Sequence, residues 1–513
     1  MMNDIAGKRV GQRRTALPER AIGPQPVADG VDRRHGAGAI PLAGGEQDRG
    51  GTEGGTGSRE QRAAEQFGRR LGQADRILVL GATGFIGRRV IRLLAASGCH
   101  VVAGVRRPES ACGLQGSEIR AIDLASMTRA PDWAPHLAGI DAVINLVGIF
   151  AESGGENTFA RVQRDAPVAL FEACQHAGIE RVIQLSALGA DTDAATPFLS
   201  SKHAADEALL AHTVGGWVLQ PSLVYGTDGK SSVLFRLLAS LPLVWLPSGG
   251  RQLVQPVHVD DVAAAIVAAV LRPIGSGVPG EAHRRVPLVG PEPLTFARYL
   301  ALLRAGMGWR GQLRVLSVPV GAATRLAGWL GRWSAAPVNA DAVRMLARGN
   351  TASATAISAL LGRPPLAPEH FIAADDAARL RAEALLGWMP WVLRASVAFL
   401  WIATAIVSFG LYPVADSLAL LAQAGVPAAI QPLALYGAAS LDLAFGVLSV
   451  APRRPTWLWR AQAALILGYM LIITVRLPEY WLHPYGPITK NVPILALIWV
   501  LDRLERREWT MSR

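Results

Sequence analysis

Cysteine is scarce in this chain: Cys99, Cys112 and Cys174 are all that 513 residues hold. They form no CxxC or other metal-ligand spacing, so no metal site is expected; they read as reduced thiols of a cytosolic domain. Residues 1–73 lack an apolar run, which excludes a secretory signal there. What they do hold is Gly, Arg, Gln and Pro, as in Gly44-Gly45-Glu46-Gln47-Asp48-Arg49-Gly50-Gly51. Such a stretch buries too little surface to offset its ordering entropy, so 1–73 is expected to be a disordered, basic, Gly-rich arm. Arg13, Arg14, Arg33 and Arg34 could meet lipid headgroups, but a solvated tail is the plainer reading and no nucleic-acid partner is expected. The globular pattern starts only at Asp75, so the arm also reads as sequence upstream of a natural start.

The length allows about two to four domains. The formal charge of +11 misleads as an average, because arginine gathers in the arm and near the C-terminus. The mean hydropathy of +0.26 is high for a soluble enzyme, and its source is the last quarter of the chain.

The most informative stretch is Arg76-Ile77-Leu78-Val79-Leu80-Gly81-Ala82-Thr83-Gly84-Phe85-Ile86-Gly87-Arg88-Arg89-Val90. An apolar run passes into a glycine-spaced turn and then into helical periodicity, which is how a first strand, phosphate loop and first helix read. Gly81 permits the tight exit, Gly84 the approach of backbone N–H groups to a pyrophosphate, and Gly87 close packing of helix on sheet. Thr83, Phe85 and Ile86 complete the predicted dinucleotide loop. A second strand, His100 to Val105, ends in Arg106-Arg107, where an NAD-binding chain would place an acid for the ribose 2′-OH. Two arginines there favour NADP(H) over NAD(H).

Strand and helix signals then alternate: Ile119 to Ile122, Ala142 to Leu146 and Arg181 to Leu185 as strands, Val168 to His176 as helix. This predicts an α/β fold, a doubly wound Rossmann-type parallel sheet. Asp123, Asn145 and Ser186 follow or end strands on the edge where ligands bind.

The glycine turn, Asp123-Leu124, Asn145-Leu146-Val147-Gly148, Gln184 to Ala190 and Gln255 to Ala263 together resemble the atypical short-chain dehydrogenase/reductases, in particular the group of the 39 kDa accessory subunit of respiratory complex I. The resemblance covers about 75–376. It implies that Asp123 contacts the adenine side of the cofactor, that Asn145 contacts the ribose side, and that Leu219 to Gly226 borders nicotinamide and substrate. It also implies a catalytic Ser with a Tyr four residues before a Lys. Ser186 and Lys202 fit as catalytic candidates, with Lys202 also binding cofactor, but the Tyr position holds Phe198.

Three readings follow from that replacement. The domain binds nucleotide without turnover, or it delivers hydride to a quinone-like or flavin acceptor with Ser186, Tyr225 or water supplying any proton, or Ser200 or Ser201 substitutes. His203 and His258 read as structural, and Asp260 and Asp261 as cap and dipole charges of the next helix.

Ala395 to Leu411, Leu433 to Ala451, Ala461 to Val475 and Pro487 to Leu504 read as four membrane spans with Trp and Tyr near their ends. Residues 412–431 carry no Lys or Arg, whereas Arg453, Arg454 and Arg460 lie in the next connection and Arg503, Arg506, Arg507 and Arg513 in the tail. The positive-inside rule then places the nucleotide domain in the cytoplasm of a bacterial inner membrane. Gly486-Pro487-Ile488-Thr489-Lys490-Asn491-Val492-Pro493 resembles the DoxX-like four-helix membrane proteins, and that resemblance implies an oxidoreductase partner and sometimes quinone. Asp442 lies mid-span, as a functional carboxylate or a hydrogen-bonded helix contact.

The expected organisation is the arm at 1–73, an NAD(P)-binding domain at 74–376, a linker at 377–389, an all-α transmembrane four-helix region at 390–507 and a tail at 508–513. The expected partners are membrane lipid and a quinone or membrane protein complex. The expected function is membrane-anchored oxidoreduction, or else nucleotide binding as a non-catalytic accessory subunit.

Overall fold

The computed structural model describes residues 75–511 except 115, 153, 213–215, 273–284, 334–339 and 485. The arm, with Arg13, Arg14, Arg33 and Arg34, lies outside the described residues, as do Tyr485, Arg513 and the side chains of Arg506 and Arg507.

Seven parallel strands form one sheet. They are β1 (Arg76–Leu80), β2 (His100–Val105), β3 (Glu118–Ala121), β4 (Ala142–Asn145), β5 (Arg181–Leu185), β6 (Gly216–Pro221) and a last strand, Arg285–Leu288. The spatial order runs from the last strand through β6, β5, β4 and β1 to β2 and β3. Chain order reverses direction between β1 and β4, which opens the crevice where such sheets bind ligands.

Alternation along β1 explains the layering. Ile77 and Val79 enter one core with Val90, Ile91 and Leu94 of α1 (Gly87–Ala96). Leu78 and Leu80 enter the other with Trp133 of α2 (Ala130–Leu137) and Leu170 and Phe171 of α3 (Ala166–His176). Successive strand residues point to opposite faces, and a wholly parallel sheet buries both. Next in the chain come α4 (Pro197–His212), α5 (Lys230–Ser240) and α6 (Val259–Leu271). A third core joins Tyr225, Phe296, Tyr299, Leu303 and Phe371 to Leu380 and Ala384 of α7 (Ala374–Leu386). Most of 377–389 is therefore helical.

The chain then enters α8 (Met389–Ile406), α9 (Gln431–Val450), α10 (Leu458–Arg476) and α11 (Asn491–Met511). All four contribute to one apolar core, with Trp401, Phe445, Trp459, Ile466 and Leu501 among its members. Among the described residues three helices are long and apolar enough to cross a membrane: Ala374–Leu411, Ala428–Val450 and Leu458–Arg476. Only 28%, 33% and 22% of their most apolar windows are buried inside the chain, so the outward faces suit lipid rather than water. The fourth expected span overlaps α11, which is not one of the three: Asp502, Arg503 and Glu505 interrupt its apolar character, and Asp502 and Glu505 tie its end to neighbouring helices.

The nucleotide domain is fastened to the first span. Trp388 donates its indole N–H to Ser240 Oγ at 3.0 Å, and Gly387 leaves room for Leu237, whose Cδ1 would lie 2.8 Å from an added Cβ.

Gly87 is the least replaceable residue of the loop. A Cβ there would lie 2.2 Å from the Gly81 carbonyl oxygen, which is backbone and cannot yield cheaply. Gly87→Ala is expected to lose about 1–3 kcal/mol of stability and most dinucleotide affinity. At Gly84 the closest contact is 3.0 Å, so Gly84→Ala should be milder. Thermal unfolding in detergent with and without NADPH checks the ranking.

Candidate nucleotide and reaction site

The loop after β1 is held by its own backbone. Gly81 adopts φ +77°, a left-handed conformation open to glycine, and Gly84 N–H donates to Gly81 O at 2.9 Å. Arg88 Nε donates to Thr83 O and its Nη1 to Cys112 O, both at 3.1 Å, pinning the loop to the segment beyond β2. Arg89 donates to Phe85 O and pairs with Asp228 and Asp260. Ile86 stands at the N-cap of α1 with no side-chain cap bond, and the first turn holds no acid. Uncapped N–H groups at the positive end of a helix suit an anion.

Arg106 and Arg107 follow β2, are exposed and form no ion pair among the described residues. Asp123 follows β3, exposed, with one oxygen accepting from Ala125 N–H at 3.2 Å. Asn145 is fully buried: its Nδ2 donates to Gln184 Oε1 at 2.8 Å and its Oδ1 accepts from Val147 N–H at 3.2 Å. Both ends of that amide are engaged within the sheet, so Asn145 shapes the turn into Val147 and Gly148.

Beyond β5 lies a buried polar cluster. Ser186 Oγ donates to Asp206 Oδ2 at 2.5 Å, and Gln220 Nε2 lies 3.4 Å from the same oxygen. Lys202, one turn before Asp206 on α4, donates from Nζ to Leu185 O at 2.9 Å. Burial pushes the Lys202 ammonium down to about 8, with Asp206 opposing, and pushes the Asp206 carboxyl up to about 7 against Ser186, Lys202 and Gln220. Gly148 faces this cluster, since an added Cβ would stand 3.4 Å from both Lys202 Nζ and Gln163 Oε1. Gln163 is buried, and both its amide atoms lack a protein partner. The residues present fit a dinucleotide: an uncapped helix start behind a glycine turn, and an unpartnered amide beside a buried lysine.

Residues 77–281 match the model of the NAD dependent epimerase/dehydratase family, and residues 398–499 that of the DoxX-like family. The chain joins an epimerase/dehydratase-type domain to a DoxX-like one. It is 33% identical over 225 residues to NADH dehydrogenase [ubiquinone] 1 alpha subcomplex subunit 9, mitochondrial, of Arabidopsis thaliana, covering 42% of this chain and 54% of that protein. It is 32% identical over 202 residues to a ceramide reductase of Caulobacter vibrioides, covering 39% and 62%. The Mus musculus counterpart of the plant subunit is 30% identical over 212 residues, covering 39% and 54%. The chain thus spans little more than half the length of these relatives.

Within the epimerase/dehydratase domain, Phe198 is buried with its ring stacked on Phe150 at 5.2 Å and edge-on to Phe159 at 6.1 Å. Lys202 Nζ is 5.9 Å from that ring's centre. The expected substitutes for a tyrosine hydroxyl fare unequally. Tyr225 belongs to the third core, fully buried and stacked on Phe371 at 5.0 Å, and burial pushes its hydroxyl up. Its hydroxyl is buried there with no hydrogen-bond partner among the described residues. Ser200 and Ser201 donate to Pro197 O and Phe198 O of their own helix. Ser186, backed by Asp206, is the hydroxyl with an acid behind it.

Other expectations change in detail. His258, not an aspartate, caps α6: its Nδ1 accepts from Asp260 N–H at 3.4 Å. Asp260 pairs with Arg89, and buried Asp261 holds Arg363 at 2.5 Å and the Leu366 N–H at 2.6 Å. His203 Nδ1 lies 3.6 Å from Glu207. In the DoxX-like domain Asp442 is buried on α9, with Oδ1 unpartnered among the described residues. Asp206 and Gln163 are absent from the expected site. The spacing of Asp206 four residues after Lys202 places both on one helix face and was the available signal.

Asp206 gives a pH test. Its folded value is raised from 3.8 to about 7, so the native state keeps a proton the unfolded chain loses. The stability this group contributes is complete below about 3.8 and is lost as pH rises through about 7. Lys202, lowered from 10.5 to about 8, acts in a separate alkaline window. Asp206→Asn keeps the polar contacts and should flatten the fall in melting temperature between those acid and neutral limits. An unchanged slope would remove Asp206 as its source.

Proposed function

We propose that the chain is a membrane-anchored NAD(P)H-dependent reductase whose acceptor is lipid-soluble, either a quinone or a long-chain carbonyl compound. The observation that carries this reading is the Ser186–Asp206–Lys202 cluster at the strand ends, in a chain whose next helices are apolar on their outer faces. A reduced nicotinamide supplies a hydride when bound. Gly81, Thr83, Gly84, Phe85, Ile86 and Gly87 hold the pyrophosphate, Asp123 and the Asn145 turn the adenosine side, and Lys202 the ribose. In the reaction the Ser186 O–H turns from Asp206 to the acceptor oxygen and gives up its proton, and protonated Asp206, now the donor of the pair, restores it. The exposed guanidinium pair Arg106-Arg107 favours NADP(H), through a 2′-phosphate.

Orientation follows the charge pattern: Arg453, Arg454 and Arg460 share the side of the nucleotide domain, which supports a cytoplasmic domain on a bacterial inner membrane. The relatives' names support a hydrophobic acceptor or a membrane complex as partner, one being a ceramide reductase and the others subunits of a ubiquinone-linked dehydrogenase.

Phe198 favours a second reading, a nucleotide-binding accessory subunit without turnover. NADPH oxidation by the full chain in lipid vesicles, with a quinone or a long-chain ketone, separates the two. The reductase should turn over, and Lys202→Ala should lower the rate by about 100-fold or more. Phe198→Tyr should raise ketone reduction by restoring a hydroxyl near the Lys202 ammonium. Cofactor retained without oxidation by any acceptor would favour the subunit. Replacing Arg106 and Arg107 with Gln should weaken NADPH about tenfold or more while sparing NADH, read by fluorescence titration.

A further inference from the structure

Where the nucleotide domain meets the bundle, a cavity of about 320 Å³ is lined by Leu386, Gly387, Pro390, Trp391, Arg394, Pro452 and Arg454. A water's share of the liquid is about 30 Å³, so the space suits a group of many atoms. Its charges do not balance. Arg394 donates to Glu505 Oε1 from Nε at 2.9 Å and Nη2 at 2.7 Å, and Arg454 Nη2 approaches the same oxygen at 3.3 Å. Glu505 Oε2 accepts from the Trp459 indole at 2.8 Å. The single carboxylate has both oxygens engaged, and two guanidinium groups share it. Arg454 Nη1 donates to Ala451 O, and its Nε is buried with no acceptor among the described residues. Among the described residues two guanidinium groups thus share one carboxylate, which leaves a surplus positive charge at the cavity wall.

We propose that this cavity binds a phosphate group, with Arg454 as the principal donor and the surplus positive charge as the attraction. Guanidinium groups answer phosphate oxygens in just this way. The surroundings tell where the group comes from. The uncharged stretch Ala395 to Leu411 starts right after Arg394, Pro452 lies just past the end of α9, and half-exposed Trp391 carries Arg394 over its ring at 4.9 Å. The cavity stands at the level where headgroups and interfacial tryptophans meet, and basic pockets between helices at that level take anionic headgroups. The apolar lining, Leu386, Pro390 and Trp391, suits the glycerol and upper chains of a phospholipid. Because Leu386 and Gly387 belong to the nucleotide-domain side, an occupant would touch both parts of the chain at once.

The test uses the full chain in neutral detergent, titrated with phosphatidylglycerol, phosphatidylcholine or inorganic phosphate, with thermal unfolding and native mass spectrometry as readouts. Phosphatidylglycerol should stabilise and remain bound, phosphatidylcholine should not, and Arg454→Gln should weaken the effect about tenfold. Arg453→Gln, an exposed neighbour outside the lining, should leave it unchanged. Protection by inorganic phosphate equal to that by phosphatidylglycerol would name a soluble phosphate compound as the source. Equal losses in both variants would mean diffuse attraction and overturn the proposal. So would a wild-type chain that fails to distinguish the two lipids and ignores phosphate, an outcome readable even if Arg454→Gln does not fold.

Discussion

An ammonium group taken out of water governs the reaction side of the crevice. Lys202 is buried at the ends of β4 and β5, where its charge survives only because Leu185 O accepts from it and Asp206 lies one turn away on the same helix. An isolated buried charge would neutralise itself. That requirement draws α4 against the strand ends, sets Lys202 Nζ close to Gly148 and brings Ser186 within reach of Asp206. Lysine and carboxyl each move toward neutrality, so the cluster can hold or give up a proton near neutral pH. With phenylalanine at the tyrosine position, this cluster is the acid on which the proposed reductase would depend.

Local features were the legible ones. The phosphate loop could be read because strand, turn and helix start lie within fifteen or so consecutive residues, each glycine answering a neighbour a few positions away. That Arg106 and Arg107 stand exposed just past β2 was legible for the same reason. Asp206, Gln163 and Asp261 were not, because their roles depend on partners brought near by the fold: Ser186 from another strand, Gly148 from another loop, and Arg363, 102 residues from Asp261. That Tyr225 would pack into the third core was equally hidden, since Phe371 and Phe296 reach it from far along the chain. In α11 the apolar run continues into charges, Asp502 and Glu505, whose partners on other helices were also out of view.

Those charges tie the ends of the bundle's helices together. Glu505 on α11, Arg394 on α8 and Arg454 between α9 and α10 form one group, with the Trp459 indole on the carboxylate. Arg394 is its buried member, so removing Glu505 would strand that charge at a cost of about 3–5 kcal/mol. Deeper in the bundle, the Trp401 indole donates to Gln462 Oε1 at 2.9 Å, and Gln462 Nε2 donates to Ser449 Oγ at 3.0 Å. Polar ties at two levels fix the register of helices that lipid alone would leave free to slide.

The height of the crevice above the bilayer then follows from few contacts. Trp388 grips Ser240, Gly387 admits Leu237, and α8 begins within two residues, so little chain is free between the lobe over the crevice and the first apolar helix. A long flexible tether would let the nucleotide site drift away from the membrane surface. This short, side-chain-locked junction holds it there, so that an acceptor too greasy to leave the bilayer need travel only a short way to meet a dinucleotide too polar to enter it. The fastening of the α7–α8 junction to α5 is thus as much a part of the proposed chemistry as the glycine loop.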